Sequence, residues 1–247
     1  MIARVSDQFP WGPVRIRIES WRCCRLTDPA RFEQDHVHHV YDAIAEHFSD
    51  TRYKGWPVVE DYIAALPIGS IVGDIGCGNG KYMGPYDHLA FLGCDRSGAL
   101  MRIAHERGHD VQIADGLCLP YRSCVLDHAL SIAVIHHFAT PERRRAALAE
   151  IARVLRPGGT ALVFAWALEQ VSRKRAFAVQ DNLVTWKTTA RQSRKAANDR
   201  TASTYERFYH MFVQGELQAL AAEVPALDVI RDGYDRDNWW VVVRRRA

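Results

Sequence analysis

Five short apolar runs constrain this chain more than any other feature: "SIVGDIG" (70–76), "LAFLGCD" (89–95), "DVQIAD" (110–115), "LDHALSIA" (126–133) and "TALVFAWA" (160–167). Between them lie helical patterns near 97–107 and 141–155, the second ended by "RPGG", where Pro157 and two glycines bar continuation. Strand-length runs alternating with helices are βαβ units, and their crossovers build a parallel, doubly wound sheet. Downstream, "QGELQALAAEV" (214–224) predicts a helix, and "LDVIRDGYDRDNWWVVVRRR" (227–246) two antiparallel strands joined by a tight turn that close one sheet edge. Upstream, Asp28 before Pro29 is a helix start. Val37, Val40, Tyr41, Ile44, Ala45 and Phe48 follow as an apolar stripe, and a second helix is predicted over Pro57–Leu66.

With 247 residues, 48% of them hydrophobic, the chain can bury one sizeable core, so residues 28–247 are expected to form a single α/β domain. No apolar stretch approaches the roughly 20 residues of a membrane helix, and no secretory core follows a basic start. Cys23, Cys24, Cys77, Cys94, Cys118 and Cys124 have neither disulfide-framework nor zinc-ribbon spacing, which fits a reducing, cytoplasmic or nuclear setting away from membranes. Residues 1–27 carry arginines without a clear amphipathic pattern and are expected to be a poorly ordered extension. A basic insertion at about 170–204 sets Arg173, Lys174, Arg175, Lys187, Arg191, Arg194, Lys195 and Arg200 against Asp181 and Asp199. It reads either as a solvated loop or as a strip for nucleic-acid phosphates.

The chemical centre is "DIGCGNGKY" (74–82), directly after the first run and expected to open toward a helix. Gly76, Gly78 and Gly80 are spaced G-x-G-x-G, not as the dinucleotide or P-loop signatures, so a pyrophosphate is not the expected ligand. Asp95 ends the second run, where a carboxylate can accept both hydroxyls of a ribose. Asp115 ends the third, placed to meet a base edge, and Asp74 beside the loop can hold a positive amino group. An adenosine with an amino-acid tail, S-adenosylmethionine, suits all four features. Taken singly, each aspartate could be a helix cap, but three at successive strand ends argue against coincidence.

The chain resembles the class I methyltransferases, and more closely the wobble-uridine tRNA carboxymethyl methyltransferases, including the methyltransferase domain of AlkB-like hydroxylase fusions. The resemblance runs from about Glu33 to Val243 through "EQDHVHHVYDAIAEHFSDTRYKGWP", "GSIVGDIGCGNGKY", "GCDRS", "SIAVIHHFAT", "LRPGG", "WALEQ", "YERFYHMFVQGEL" and "DNWW" in one order. It implies a Rossmann-like fold, methyl transfer to the carboxylate of 5-carboxymethyluridine in tRNA, and a small zinc-binding activator subunit. Cofactor contacts are then expected from Asp74, Gly76, Cys77, Gly78, Asn79, Gly80, Asp95, Arg96, Asp115, Gly116 and Ile132. Tyr53, Trp56, Arg207, Tyr209 and His210 are expected at the tRNA, with the aromatics stacking on splayed bases.

Arg52 is the expected partner of the substrate carboxylate, because a guanidinium matches carboxylate geometry and stays charged. His136 and His137 are expected at the active site, one of them orienting substrate by a hydrogen bond, with His137 favoured. Metal binding by this pair is not expected, since no spacing supplies further ligands. "NLVTW" (182–186) departs from the family pattern, which has proline before the tryptophan. A small-molecule carboxyl or C-methyltransferase, and a silent tRNA-binding module, remain alternatives.

Overall fold

The computed structural model describes residues 28–52, 54–171, 175–188 and 203–247. The expected N-terminal extension, Tyr53 and residues 172–174 and 189–202 of the basic insertion lie outside the described residues. Asp28 caps α1 (Pro29–Glu33) by accepting the Arg31 N–H at 3.0 Å. A π-turn over Gln34–His38 leads directly into α2 (His39–Thr51). Such a turn adds a residue and rotates the helix face that follows it. Val40, Ile44 and Ala45 of the apolar stripe are buried, whereas Tyr41 and Phe48 border the cavity described below.

The chain continues through α3 (Pro57–Ala64), β1 (Ile71–Ile75), β2 (Ala90–Asp95), α4 (Gly98–Glu106), β3 (Val111–Ile113), β4 (Leu126–Ile132), α5 (Pro141–Val154) and β5 (Leu155–Trp166). After the two-residue strands β6 (Glu169–Gln170) and β7 (Arg175–Ala176) come β8 (Asp181–Lys187), β9 (Thr204–His210), α6 (Glu216–Ala222), β10 (Leu227–Asp235) and β11 (Asn238–Arg245). Seven strands form one sheet in the order β3-β2-β1-β4-β5-β11-β10. All pairs from β3 to β5 are parallel, and β11 is antiparallel to both of its neighbours. Strand order reverses direction between β1 and β4, which opens a crevice at their carboxyl ends. One face of the sheet packs against α5 and α6 through Leu148, Ile151, Leu217 and Leu220, and the other against α3 through Val59 and Ile63. The C-terminal hairpin closes an edge as expected, turning through Arg236 and Asp237 with φ of 46° and 65°. Among the described residues no helix is long and apolar enough to cross a membrane.

Three expectations need correction. The glycine loop does not open into a helix: residues 76–89 run as turns, with Gly80 and Met83 N–H groups bonded three residues back. Gly84–Pro85 and the glycines at positive φ make a continuous helix there unfavourable. The strand after α5 starts at Leu155 and not at residue 160, because "RPGG" is drawn into β5, with a pairing irregularity between Leu126 and His128 opposite. Finally, the insertion is not only loop. Its described part contains β8, which pairs with β9 along seven residues from Asp181–His210 to Lys187–Thr204.

This second, two-stranded sheet sits over the carboxyl end of the main one, packing Phe208 on Val37 and Tyr209 on Trp166. Its base is fixed by His210, which is 6% exposed and lies 2.7 Å from Asp181 and 2.7 Å from Glu216. Two carboxylate partners require a proton on both ring nitrogens. Burial acts to lower the pKa of His210, but the bonds to Asp181 and Glu216 outweigh it and leave the value raised above 6.5. A raised value means that the stabilisation is complete below pH 6.5 and is lost as pH rises through the folded-state pKa. Backbone amides of β8 and β9 should therefore exchange faster with solvent as pH rises above neutrality, after correction for intrinsic rates, and this extra pH dependence should vanish in His210→Gln.

Candidate active site

Asp74, at the end of β1, is 2% exposed, and its Oδ2 has no hydrogen-bond partner. Burial pushes its carboxyl up to about 7, with the Lys81 charge opposing and Asp95 adding. A buried carboxylate oxygen with no donor suits an ammonium-bearing ligand, so the methionine amino group of S-adenosylmethionine fits here. The loop that follows leaves backbone approach open: Gly76, Gly78 and Gly80 have φ of 74°, 56° and 73°. Asp95 ties this loop to the next crossover, accepting the Gly78 N–H at 3.0 Å and the Ser97 N–H at 2.9 Å. Each oxygen retains a lone pair, so the carboxylate can still receive ribose hydroxyls. Asp115 accepts the Leu117 N–H at 2.9 Å, with Arg96 Nε 3.9 Å from its other oxygen.

The raised Asp74 value has a testable consequence. Because the carboxyl takes up its proton near pH 7 in the folded chain, affinity for an ammonium ligand should fall as pH drops through 7, approaching about tenfold per pH unit. Calorimetric titration of S-adenosylmethionine from pH 8.5 to 5.5 checks this, and Asp74→Asn should flatten the profile. In the ligand-free chain the same shift acts in reverse: stability from Asp74 is present below about 3.8 and lost as pH rises through 7.

The two histidines occupy a single 3₁₀ turn, Ile135–His137, just past β4. His137 is fully committed. Its Nδ1 lies 2.8 Å from the Phe208 carbonyl and must donate, which leaves Nε2 to accept from Tyr41 Oη at 3.0 Å. Tyr41 Oη in turn lies 3.2 Å from Tyr209 Oη and receives Arg207 Nη1 at 3.4 Å. His136 is different. Its Nδ1 accepts the Trp166 backbone N–H at 3.1 Å, so the ring proton of the neutral form sits on Nε2, and that atom has no partner. Burial lowers both imidazoles, His137 to about 3 and His136 well below its ordinary value. Both rings are thus neutral near pH 7, and His136, not the favoured His137, retains an unused buried donor.

One cavity gathers most of the expected residues. Asp74, Gly76, Cys77, Gly78, Asn79, Asp95, Arg96, Asp115, Gly116 and Ile132 line one part, and Arg52, Trp56, His136, His137, Arg207 and Tyr209 line the rest. Gly80 is not at the wall; a Cβ there would meet His109 at 2.4 Å, which gives it a packing role. His210 faces Asp181 and Glu216 instead. The structure also does not present the β9 residues to solvent for stacking: Tyr209 is 2% exposed and lies against Trp166, ring centroids 4.5 Å apart. Arg52 sits beside the glycine loop, its carbonyl accepting Asn79 Nδ2 at 3.3 Å and its guanidinium 5.5 Å from the Trp186 ring. Among the described residues no group of three or more His, Cys, Asp or Glu side chains could hold a metal ion.

Residues 73–163 match the methyltransferase domain family model. The tRNA (carboxymethyluridine(34)-5-O)-methyltransferase of Schizosaccharomyces pombe is 45% identical over 225 residues, covering 87% of this chain and 98% of that protein. The chain belongs to the tRNA (carboxymethyluridine(34)-5-O)-methyltransferases. The homologous alkbh8 protein of Xenopus tropicalis is 39% identical over 258 residues, covering 86% of this chain but 41% of that longer protein. Among solved structures, the methyltransferase in complex with the Trm112 methyltransferase activator from Haloferax volcanii superposes with a TM-score of 0.61 at 17% identity, covering 85% and 98% of the two chains, a likeness of fold.

Within this family site, sequence reasoning overlooked Tyr41, Trp166, Lys81 and Glu33, which also line the cavity. Tyr41 read as one member of a core stripe, and Trp166 as the end of a buried strand. Lys81 alone carried a usable signal, since it stands directly after the glycine loop, where its ammonium lies 4.5 Å from the Tyr82 ring centroid and 5.1 Å from that of Trp56. Glu33 is a clamp: 1% exposed, it accepts the Ala139 N–H at 2.7 Å and both Nε and Nη2 of Arg143 at 2.8 and 2.6 Å.

Proposed function

We propose that this chain methylates the carboxylate of 5-carboxymethyluridine at the wobble position of tRNA, with S-adenosylmethionine as donor. What carries the reading is that a single cavity joins the orphaned Asp74 and its glycine loop to the neutral donor of His136. S-adenosylmethionine would supply an electrophilic sulfonium methyl, with Asp74, Asp95 and Asp115 holding its amino group, ribose and base. The target needs no general base, because a carboxylate is already ionised at neutral pH. The protein's work is to remove water from that anion and to orient it, leaving one oxygen free for the methyl. Buried His136 Nε2–H can fix the other oxygen, and the Tyr41–His137–Phe208 chain holds β9 over the site.

The proposal includes a zinc-binding activator subunit. It is supported by the outer edge of β3, which among the described residues has no strand paired on that side and where Ile113 is 60% exposed. To test the whole reading, labelled S-adenosylmethionine and tRNA bearing 5-carboxymethyluridine are incubated with the chain, with and without such a subunit, and the tRNA is digested to nucleosides. Label in a base-labile uridine ester is the expected result. Unlabelled tRNA with cofactor binding intact would instead favour a small-molecule carboxyl methyltransferase, and loss of cofactor binding a tRNA-binding module.

A further inference from the structure

We infer that Arg207 is the residue that selects the charged form of the substrate, taking the target carboxylate and refusing both the corresponding amide and the methyl-ester product. The inference rests on the proposed methyl transfer to a carboxylate. Arg207, on β9, is 3% exposed and lines the cavity, yet its Nε has no hydrogen-bond partner, and no carboxylate stands within ion-pair distance among the described residues. Among the described residues its Nη1 makes a long contact to Tyr41 Oη at 3.4 Å, and the guanidinium otherwise faces phenols and an indole. Arg143 shows the paired arrangement, one edge of its guanidinium held by both oxygens of Glu33, whereas buried Arg144 is satisfied by the Phe138 carbonyl at 2.9 Å.

A buried cation without an anion is costly, and a guanidinium does not shed its proton. Three rings soften that cost: Trp186, Tyr209 and Tyr41, with centroids 4.6, 5.2 and 5.8 Å from the guanidinium carbon. They cannot neutralise the charge. Nor do the other polar groups at this end of the cavity, since His136 and His137 are neutral and the Tyr41 phenol, its pKa raised by burial, stays protonated. The site therefore presents a desolvated positive charge beside an unused imidazole N–H, which is complementary to a carboxylate from outside. Arg52 lies on the other side of the shared Trp186 ring, its guanidinium carbon 5.5 Å from that centroid and its backbone carbonyl bonded to Asn79 of the glycine loop, so it adds a second cation and no anion.

Charge selection follows from this arrangement. An amide or ester in the same pocket leaves Arg207 buried and uncompensated, so both bind poorly. Methylation itself abolishes the anion, so the reaction turns a well-paired ligand into a poorly paired one and favours product release.

The test measures binding of three RNA stem-loops in the presence of S-adenosylhomocysteine. They carry the target uridine as 5-carboxymethyl, 5-carbamoylmethyl or 5-methoxycarbonylmethyl derivative. The wild-type chain, with its activator if activity requires one, should favour the acid by at least about tenfold over the other two, the effect of one charge-assisted hydrogen bond. Arg207→Gln should bring acid binding down to the level of the amide, leave amide binding unchanged, and raise KM for the acid. Arg207→Lys should keep part of the preference, and both variants should bind the cofactor normally.

Equal binding of all three RNAs by the wild type overturns the inference whatever the variants do. So does an acid-to-amide ratio unchanged in Arg207→Gln, or in Arg207→Lys should the glutamine variant not fold. Equal weakening of all three RNAs would assign Arg207 to a backbone phosphate, and weakened cofactor binding would assign it to the methionine carboxylate; either outcome also sinks the proposal. Failure of the wild type to methylate the acid RNA with cofactor bound would count against the proposed function, whereas methylation without discrimination would count against this inference alone.

Discussion

Gly76→Ala should weaken S-adenosylmethionine binding by roughly thirtyfold or more. The backbone at Gly76 has φ of 74°, and a Cβ there would lie 2.2 Å from Val134 Cγ2. A left-handed conformation costs a non-glycine residue about 1–3 kcal/mol, and overpacking adds about 1–3 kcal/mol. The loop can relieve that strain only by moving, which displaces the amides beside Asp74, so about 2 kcal/mol or more appears as lost affinity. Gly78→Ala is the comparison: its Cβ would make ordinary contact with Phe48 at 3.7 Å, leaving only the strain of φ 56°. Its affinity should fall less, by about 1 kcal/mol. Calorimetric titrations with a thermal melt of each variant separate binding from folding. Wild-type affinity and melting temperature in Gly76→Ala would mean that this loop does not cradle the cofactor.

His136→Asn should lower kcat/KM for methyl transfer by about 100-fold while leaving cofactor affinity unchanged, the cost expected of a misaligned reactant. An asparagine can still offer an oxygen to the Trp166 N–H, but it has nothing at the position of Nε2. The substitution thus removes the unused donor and little else. His137→Asn should act otherwise. It can keep the bond to the Phe208 carbonyl but removes the Nε2 acceptor of Tyr41 Oη, leaving that hydroxyl its 3.2 Å contact with Tyr209 Oη, so the expected cost is about 0.5–1.5 kcal/mol of stability. Single-turnover assays together with melts of both variants distinguish the two roles. A reversed pattern, with His137→Asn inactive yet fully stable and His136→Asn active, would return the substrate contact to His137.

Local chemistry made much of the scaffold readable. Apart from the helix expected after the glycine loop and the early start of β5, the strands and helices predicted for the main sheet appear within a few residues of their expected ends, because buried parallel strands are mostly apolar and a helix must repeat at three or four residues. The Asp28 cap, the stop before "RPGG" and the C-terminal hairpin depend on neighbouring residues alone. Less was legible where long-range pairing decides. β8 is a short run, NLVTW between Asp181 and Lys187, set in a basic insertion that reads as loop, and it pairs along seven residues with β9, which supplies a partner for its backbone. Trp186 on β8 then reaches back across 139 residues to donate to His47 Nδ1 at 3.1 Å.

The order of the main-sheet elements, the glycine loop, the acids at three successive strand ends and the double histidine after β4 follow from adjacent residues and their intrinsic backbone preferences. Which of those groups are free to act depends on contacts made in the folded chain. His136 and His137 are chemically identical in the sequence, and what separates them is a backbone N–H from Trp166 for one, and for the other a carbonyl 71 residues away and a phenol 96 residues away. Arg207 reads in the sequence as one of several tRNA contacts, and what sets it apart is burial that removes water from it without providing an anion. Tautomer and desolvation depend on contacts between distant parts of the chain, and no local pattern encodes them.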